Sequence, residues 1–463
     1  MNESNRSLFA PYARLPDGWR RNVLLQWNAE GTLTTVDAEL PGAPAGVAHA
    51  RGPVLPGMPN LHSHAFQRAM AGLTEYRANP ADSFWSWRDL MYRFAARITP
   101  DDLGAIARWL YVEMLKAGYT SVCEFHYVHH AQDGQRYENP AEMAQRVVDA
   151  AHEVGIGITM LPVLYQFSDF GERSARDDQR RFLNTPDQLL ALLERLRASR
   201  PETDMRRYGV APHSLRAVSV ASLRALLGGL DAKAPVHIHV AEQTAEVDAC
   251  MATHGTRPVR WLLDQFDVGA RWCVVHATHV DDGETRALAR SGAVAGLCLT
   301  TEANLGDGFF PARDYLDAQG RFGVGSDSHV GVDWRAELRL LEYGQRLQYR
   351  QRNVLASSQS PYVADRLFDA ALDGGAGATG RAVGALAPGR RADWIALDAD
   401  HPSIAGHGCE TWLSGAVFGE HGSTPVADVY VGGRRVVDRQ RHRDEDRLYA
   451  GYRAALARLV ADA

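Results

Sequence analysis

Two histidine pairs are the feature of this sequence that points most directly to chemistry. His62 and His64 are separated by one residue at the end of a short apolar run, and His237 and His239 repeat that spacing in a later run. Alternate residues of a strand point to the same side. Each pair can therefore present two imidazoles to one cation, and histidine is the commonest metal ligand among side chains.

Further reactive groups stand at the ends of similar runs. Glu242 comes three residues after His239, and His276 ends another run, in the stretch VVHATH. Asp327 follows a further apolar run, in the stretch GSDSH. Four strand ends thus carry a metal-compatible or acid–base group, and this coincidence is far more specific than one histidine pair.

Three imidazoles and one carboxylate complete a zinc shell in this arrangement. The predicted ligands of one zinc ion per chain are His62, His64, His239 and Asp327. His237 is the less expected ligand, because a four-ligand site that also holds a water needs only one histidine from this second pair.

Hydrolysis is the chemistry that such a site supports. Zinc with nitrogen and oxygen ligands lowers the pKa of its water to about 7. A base must take the proton of that water and an acid must protonate the leaving nitrogen, and Glu242 can do both in sequence. His276 can orient the water and stabilise the developing charge. Asp327 can accept a proton, so we predict that these three residues are catalytic.

Other motifs favour no competing chemistry. His152-Glu153 lacks the second histidine of an H-E-x-x-H zinc motif, and no P-C-x-x-C of the nucleobase deaminases is present. The stretch GAGATG has the glycine spacing of a dinucleotide loop but does not follow a strand of a βαβ unit. The remaining notable histidines are predicted to be structural or to support the ligands: His129, His130, His279 and His329.

Eight short apolar runs, alternating with segments of helical spacing, must position these groups. The runs are Val54–Leu61, Ser121–Phe125, Gly157–Leu164, Tyr208–Ala211, Pro235–Val240, Trp272–His276, Ala293–Leu299 and Phe322–Gly325. Continuous apolar strands that alternate with helices form parallel sheets. We predict an α/β fold, a (β/α)8 barrel of the TIM type, with its active site at the carboxyl ends of the strands.

The two ends of the chain have a strand rhythm of their own. The strand-like segments are Asn22–Trp27, Thr32–Val36, Ala392–Leu397 and Val426–Val431, with Gly432-Gly433 as a hairpin turn. We predict a small β-sandwich domain from residues 1–56 and 388–445, a catalytic barrel from 57–387 and a C-terminal helix from 446–463.

Composition limits the partners and the compartment. The net charge of -6 argues against a nucleic-acid partner, which favours a basic surface. The 5 cysteines are scattered and do not form a disulfide framework. The start of the chain lacks a signal peptide, and no apolar run of 18 or more residues exists. We therefore expect a cytoplasmic enzyme without a membrane partner.

These motifs resemble the amidohydrolase superfamily. The resemblance rests on H-x-H in the first strand, histidines in the fifth and sixth, aspartate in the eighth and the later stretch LAPGRRADWI. The fourth run, YGVAPHS, ends without a lysine or glutamate to bridge a second metal, as in the mononuclear deaminase branch.

A narrower resemblance is carried by HSHAFQRAMAGLTE (62–75) and SFWSWRDLMYRF (83–94), which look like the formimidoylglutamate deiminases. The resemblance implies hydrolysis of N-formimino-L-glutamate to N-formyl-L-glutamate and ammonia in histidine degradation, and often a homodimer. It also implies substrate contacts from Gln67, Arg88, Tyr127, His213 and Arg216. The two arginines suit a substrate with two carboxylates, because arginine binds carboxylate through a bidentate fork.

Alternative interpretations stay open at this point. A mononuclear zinc deaminase of a nucleobase or other heterocycle would keep the metal site but need no pair of arginines. An inactive barrel scaffold would be expected to lose ligands, whereas all four are present. Singly, Arg88 and Arg216 could be solvated surface residues, and Tyr127 could pack at the barrel rim.

Overall fold

The structure is a computed structural model that describes residues 6–75, 84–419 and 422–461. Ser83, which opens the second motif of the resemblance, lies outside the described residues. So do residues 1–5 and 462–463 at the ends of the two predicted terminal segments.

Twenty strands are present in the described part of the chain. In chain order they are β1 (Ser7–Leu15), β2 (Gly18–Trp27), β3 (Leu33–Asp37), β4 (Ala48–His49), β5 (Val54–Pro56), β6 (Met58–Ser63), β7 (Tyr119–His126), β8 (Gly157–Leu164), β9 (Phe167–Asp169), β10 (Arg173–Ser174), β11 (Arg206–Tyr208), β12 (Ala211–Pro212), β13 (Val236–Val240), β14 (Trp272–His276), β15 (Val294–Leu297), β16 (Arg321–Val324), β17 (Trp394–Leu397), β18 (Val426–Val431), β19 (Arg434–Asp438) and β20 (Arg441–His442).

The α-helices of the same residues connect and cover these strands. They are α1 (Phe84–Ala95), α2 (Pro100–Ala117), α3 (Glu142–Val154), α4 (Pro186–Ser199), α5 (Val220–Gly228), α6 (Thr244–His254), α7 (Pro258–Gln265), α8 (Asp282–Ser291), α9 (Leu299–Leu305), α10 (Ala312–Asp317), α11 (Trp334–Tyr349), α12 (Val363–Thr379), α13 (Trp412–Phe418) and α14 (Glu445–Val460).

The predicted α/β barrel is confirmed. Two parallel arcs form its wall, β6–β7–β8 with β11 and β12, and β13–β14–β15–β16. Parallel bridges join the arcs, Val210 to Val236 and Ser214 to His239 on one side and Ser63 to Asp327 on the other. The bridge from Ser63 to Asp327 places the first and eighth strand ends, which carry predicted ligands, beside each other.

The first apolar run is divided between two sheets. β5 pairs with β1 and β17 outside the barrel, whereas β6 is a barrel strand. Gly57 separates them, and a Cβ there would lie 2.2 Å from the side chain of Thr120. Only glycine therefore lets the chain cross so closely from one sheet to the other.

Strands from both chain ends share one sheet of nine strands, in the order β20–β19–β18–β17–β5–β1–β2–β3, with β4 paired to β1. Ile395 of β17 pairs with Leu55 of β5, so distant parts of the sequence meet at its centre. Its core includes Val23, Leu25 and Trp394. The division of the chain into domains at the stated boundaries stays a prediction.

Helix ends follow their sequence signals. Thr99 caps α2 in a reciprocal capping box with Asp102, Pro100 opens the helix, and Gly118 ends it with φ 99°. The glycines of GAGATG lie within or just after α12, where they allow close packing: a Cβ at Gly380 would lie 2.7 Å from Cγ of Pro235. Among the helices of the described residues, none is long and apolar enough to cross a membrane.

Candidate active site

Four predicted ligands meet at the carboxyl end of the barrel. Nε2 of His62 lies 3.1 Å from Nε2 of His64 and 3.0 Å from Nε2 of His239. Oδ1 of Asp327 lies 3.4 Å from Nε2 of His62 and 3.3 Å from that of His64. Tetrahedral zinc with bonds of about 2.0–2.1 Å separates its ligand atoms by about 3.3 Å. This donor set therefore fits one zinc ion.

The backbone holds two of these imidazoles in the tautomer that a metal requires. Nδ1 of His64 donates to the carbonyl of Phe125 at 2.8 Å, and Nδ1 of His239 donates to the carbonyl of His213 at 3.1 Å. Each ring then directs the lone pair of Nε2 into the cluster. Burial lowers the pKa of all three imidazoles, that of His62 to about 3, so they are neutral donors.

The carboxylate of Asp327 is the anionic member of the cluster. Burial by itself raises the pKa of a carboxyl group, but the surrounding imidazoles of His62, His64 and His276 hold the pKa of Asp327 below its ordinary value. Asp327 is therefore ionised when it binds a cation, as a ligand must be.

His237 does not join this group. Its Nε2 lies 2.9 Å from the carbonyl oxygen of Ala378, deeper in the barrel. The other histidines predicted to be structural contact different groups: Nε2 of His129 the carbonyl of Val163, Nε2 of His130 the carbonyl of Leu183, and His329 the hydroxyls of Ser63 and Ser326. His279 makes a backbone hydrogen bond at Asp307.

Glu242 and His276 lie beside the ligand cluster. Oε1 of Glu242 is 3.6 Å from Nε2 of His276, and Oδ2 of Asp327 is 3.9 Å from the same nitrogen. Burial raises the pKa of Glu242 to about 7, so its carboxyl group can hold or release a proton near neutral pH. For His276, the surrounding carboxylates outweigh burial and raise the pKa.

The backbone is strained where these residues leave their strands. His276 has φ 68° and Asp327 has φ 45°, and Ala241 and Ala277 have φ 52° and 48°. Residues other than glycine adopt this left-handed region at an energetic cost and persist there where the surrounding structure enforces it. These conformations occur at the two strand ends from which His276 and Asp327 enter the site.

All five predicted substrate-contact residues line the cavity above the cluster: Gln67, Arg88, Tyr127, His213 and Arg216. Gln67 lies on a short 3-10 helix (Ala65–Met70) and donates to the hydroxyl of Tyr127 at 2.8 Å. His213, whose carbonyl anchors His239, has Nδ1 3.2 Å from the hydroxyl of Ser214.

Two guanidinium groups make the cavity locally cationic. Arg88 lies on α1 and Arg216 between β12 and α5, and burial together with the charge of Arg216 lowers the pKa of Arg88. The guanidinium carbon of Arg88 lies 5.6 Å from the ring centroid of Tyr92. Arginine stays charged despite such shifts. The side of the cavity that holds Arg88 and Arg216, here called the cationic wall, therefore suits an anionic ligand although the chain as a whole is acidic.

Several residues around the site were not found by sequence reasoning. Trp87, Met91, Tyr92 and Leu305 also line the cavity. Glu302 lies 3.2 Å from Nδ1 of His276, and Asp307, which accepts from the side chain of Gln243, lies close to Glu242 and His276. The available signal was the acidic composition of the stretch that follows the seventh strand, TTEANLGD.

Comparison with known proteins decides the family. A family model described as the amidohydrolase family matches residues 54–436. The chain belongs to the amidohydrolase family. Among its members, the formimidoylglutamate deiminase of Pseudomonas aeruginosa is 51% identical over 98% of this chain and 99% of its own length. The 8-oxoguanine deaminase of the same species is 28% identical over 76% of each chain.

One solved amidohydrolase structure agrees with this assignment, and a more distant structure shares the fold. An amidohydrolase from Brucella melitensis superposes with a TM-score of 0.92 at 46% identity, covering 98% of this chain and 100% of its own. An adenosine deaminase from Xanthomonas campestris with bound zinc superposes with a TM-score of 0.80 at 21% identity, which shows a shared fold.

Proposed function

We propose that this chain hydrolyses N-formimino-L-glutamate to N-formyl-L-glutamate and ammonia. Water adds its oxygen to the formimino carbon, the carbon–nitrogen bond to the terminal nitrogen breaks, and that nitrogen leaves as ammonia. The observation that carries the proposal is a cavity in which a zinc-type donor set, a proton carrier and two arginines converge. The 51% identity to a formimidoylglutamate deiminase supports it.

We propose one zinc ion per chain, held by His62, His64, His239 and Asp327. Their spacing of 3.0–3.4 Å and the neutral state of the imidazoles favour a tetrahedral cation. When bound, zinc activates a water molecule and polarises the group that this water attacks.

The proton movements fall to side chains of this chain. Glu242 takes a proton from the attacking water and then delivers one to the departing nitrogen, because its pKa of about 7 suits both directions. His276, 3.6 Å away, orients the water and stabilises the charge that develops at the reacting carbon. Asp327 accepts the second proton of the added water as the carbon–nitrogen bond breaks, and this proton leaves with the ammonia.

Substrate recognition is assigned to the cationic wall. Arg88 and Arg216 each bind one carboxylate of the glutamate part, since guanidinium and carboxylate form paired, charge-assisted hydrogen bonds. Gln67, Tyr127 and His213 complete the polar lining around the substrate. A neutral heterocycle would offer a carboxylate to neither arginine.

We further propose that the enzyme acts in histidine degradation, in the cytoplasm and as a homodimer. All five cysteines are free, and four are buried, which fits a reducing compartment. Light scattering at several concentrations tests the dimer, since a constant mass of one chain would contradict it. Fractionation of cells tests the location.

Ammonia release tests the function directly. The zinc-loaded protein is assayed with N-formimino-L-glutamate, N-formimino-glycine, guanine and methylthioadenosine at equal concentration. We expect fast release from the glutamate compound, and much slower release from the glycine compound because it lacks the second carboxylate. Preferred release from either heterocycle would refute the proposed substrate and the assigned roles of both arginines.

A further inference from the structure

The second ring nitrogen of His276 faces a carboxylate to which the proposed mechanism gives no role. Nδ1 of His276 lies 3.2 Å from Oε1 of Glu302, while Nε2 faces Glu242 and Asp327. Both His276 and Glu302 are only 1% exposed. Glu302 is absent from the residues that line the cavity, and His276 is the lining residue that its side chain contacts.

The backbone fixes the carboxylate of Glu302 in place. The backbone N–H of Cys298 donates to the same Oε1 at 2.9 Å. The main chain of Glu302 is held as well, because its N–H donates to the carbonyl of Cys298 at 2.8 Å and its carbonyl accepts from the N–H of Asp307 at 2.9 Å. A buried group held in this way has one orientation to offer.

We propose that Glu302 is a positioning residue, which keeps a proton on Nδ1 of His276 and so presents Nε2 to the reacting atoms. A carboxylate oxygen only accepts, so the ring nitrogen beside it must carry hydrogen. A histidine oriented by a buried carboxylate is the arrangement that serine hydrolases use to fix tautomer and orientation. In this chain, Glu302 would fix His276, the residue to which the proposed mechanism gives the role of orienting the water. The inference therefore rests on the proposed function.

A second metal ion is the competing explanation for this cluster. Ligand atoms of His276, Cys298 and Glu302 all lie within 4.8 Å of one another. A thiol binds a metal as thiolate, and burial raises the pKa of Cys298 well above its ordinary value. The hydrogen bond from Cys298 N–H also already occupies the relevant oxygen of Glu302. The geometry favours a hydrogen-bonded pair over a metal site.

Two substitutions of Glu302 separate charge from geometry. In Glu302→Gln the amide oxygen can still accept from Cys298 N–H and His276 Nδ1, because Cys298 pins its orientation, so only the charge is lost. In Glu302→Leu the acceptor is lost as well. Glu337→Gln is the matched control: Glu337 is fully buried and accepts from Thr300 at the start of the same helix α9, without contacting His276.

The kinetic expectation is a loss in kcat with KM unchanged. We expect kcat to fall about tenfold in Glu302→Gln and on the order of 100-fold in Glu302→Leu, with zinc content and the control variant close to wild type. The loss from Glu302→Gln should largely vanish in a His276→Asn background, because residues that act as a unit are non-additive. A full additional loss there, or a rise in KM instead, would overturn the proposal. Loss of a second equivalent of metal would also overturn it in favour of the competing site.

A spectroscopic test needs neither substrate nor metal. The proton NMR spectrum of the metal-free protein, with nitrogen-15 in histidine, should contain a strongly downfield imidazole N–H signal. That signal should vanish in His276→Asn, persist in Glu302→Gln and be absent or shifted upfield in Glu302→Leu. Absence from the wild-type spectrum would refute the hydrogen bond. If the imidazole N–H signal is present but the zinc-loaded protein does not hydrolyse N-formimino-L-glutamate, the proposed function is refuted while the hydrogen bond between Glu302 and His276 stands.

Discussion

Nε2 of His62 and Nε2 of His239 lie 3.0 Å apart although 177 residues separate them in the chain. Two neutral imidazoles whose lone pairs face each other at this distance repel unless a cation or a proton lies between them. With His64 and Asp327 at similar distances, the arrangement is stable when a cation is bound.

Removal of one ligand should therefore remove the metal. We expect His239→Ala to lose nearly all bound zinc and all turnover, because two histidines and one carboxylate bind zinc much more weakly. His237→Ala is the matched control, since it is a buried histidine of the same strand that contacts a carbonyl instead. Elemental analysis should give about one zinc per chain in wild type and control. Two ions per chain, or zinc retained in His239→Ala, would contradict the assignment.

Substitution of the proton carrier should separate binding from turnover. We expect Glu242→Gln to keep its zinc and its affinity for substrate but to lose kcat by about 10²–10⁴-fold, the range typical of general acid–base groups. Zinc content by elemental analysis and substrate affinity by calorimetry accompany the rate measurement. A near-normal rate would remove Glu242 from the role of proton carrier.

The arginines should govern affinity for the dicarboxylate. Arg216→Met or Arg88→Met should raise KM for N-formimino-L-glutamate by about 10–100-fold, since hydrogen bonds to a charged group contribute about 1.5–3 kcal/mol. Arg176→Met is the control, because Arg176 lies near the same Tyr92 ring but pairs with Asp89 and Asp178. An unchanged KM in both cavity variants would contradict the two-carboxylate clamp.

Stability should depend on pH through Glu337. Burial outweighs the hydrogen bonds from Thr300 and raises the pKa of Glu337 from 4.5 to about 8. A raised pKa means that the protonated form stabilises the fold, fully below about pH 4.5 and progressively less as the pH rises through about 8. Glu337→Gln stays uncharged, so it should gain stability relative to wild type over this interval.

Urea unfolding of both proteins at several pH values measures this difference. The free energy of unfolding of Glu337→Gln minus that of wild type should increase with pH, by at most about 1.4 kcal/mol per pH unit. Asp369→Asn, a change at a half-exposed carboxylate that pairs with Arg14, is the control. A difference that stays constant from about pH 5 to 8 would show that the pKa of Glu337 is not raised in the folded protein.

Much of the fold and site was predictable because the signals are local. Six of the eight apolar runs begin and end within two residues of a barrel strand, since a strand buried on both faces must be continuously apolar. Two runs were less regular than their composition indicated. The first divides at Gly57 between two sheets, and the fourth forms two short strands, β11 and β12, since tertiary contacts set strand limits that composition does not encode.

By itself, the sequence determined the residue types and the periodicity: a histidine pair in a strand, acidic groups after strand ends, and alternating elements that close a barrel. Only the tertiary structure decided which of two equivalent histidines faces the cluster. His237 and His239 are both buried and lie on the same face of β13. Their different heights in the barrel give them different partners: His237 contacts the carbonyl of Ala378, and His239 contacts His62. The role of Glu302 could not be predicted from the sequence either, because its contact with His276 is set by tertiary packing. Its proximity to His276 arises from the packing of α9 against a neighbouring strand end, and such proximity leaves no periodic trace in the chain.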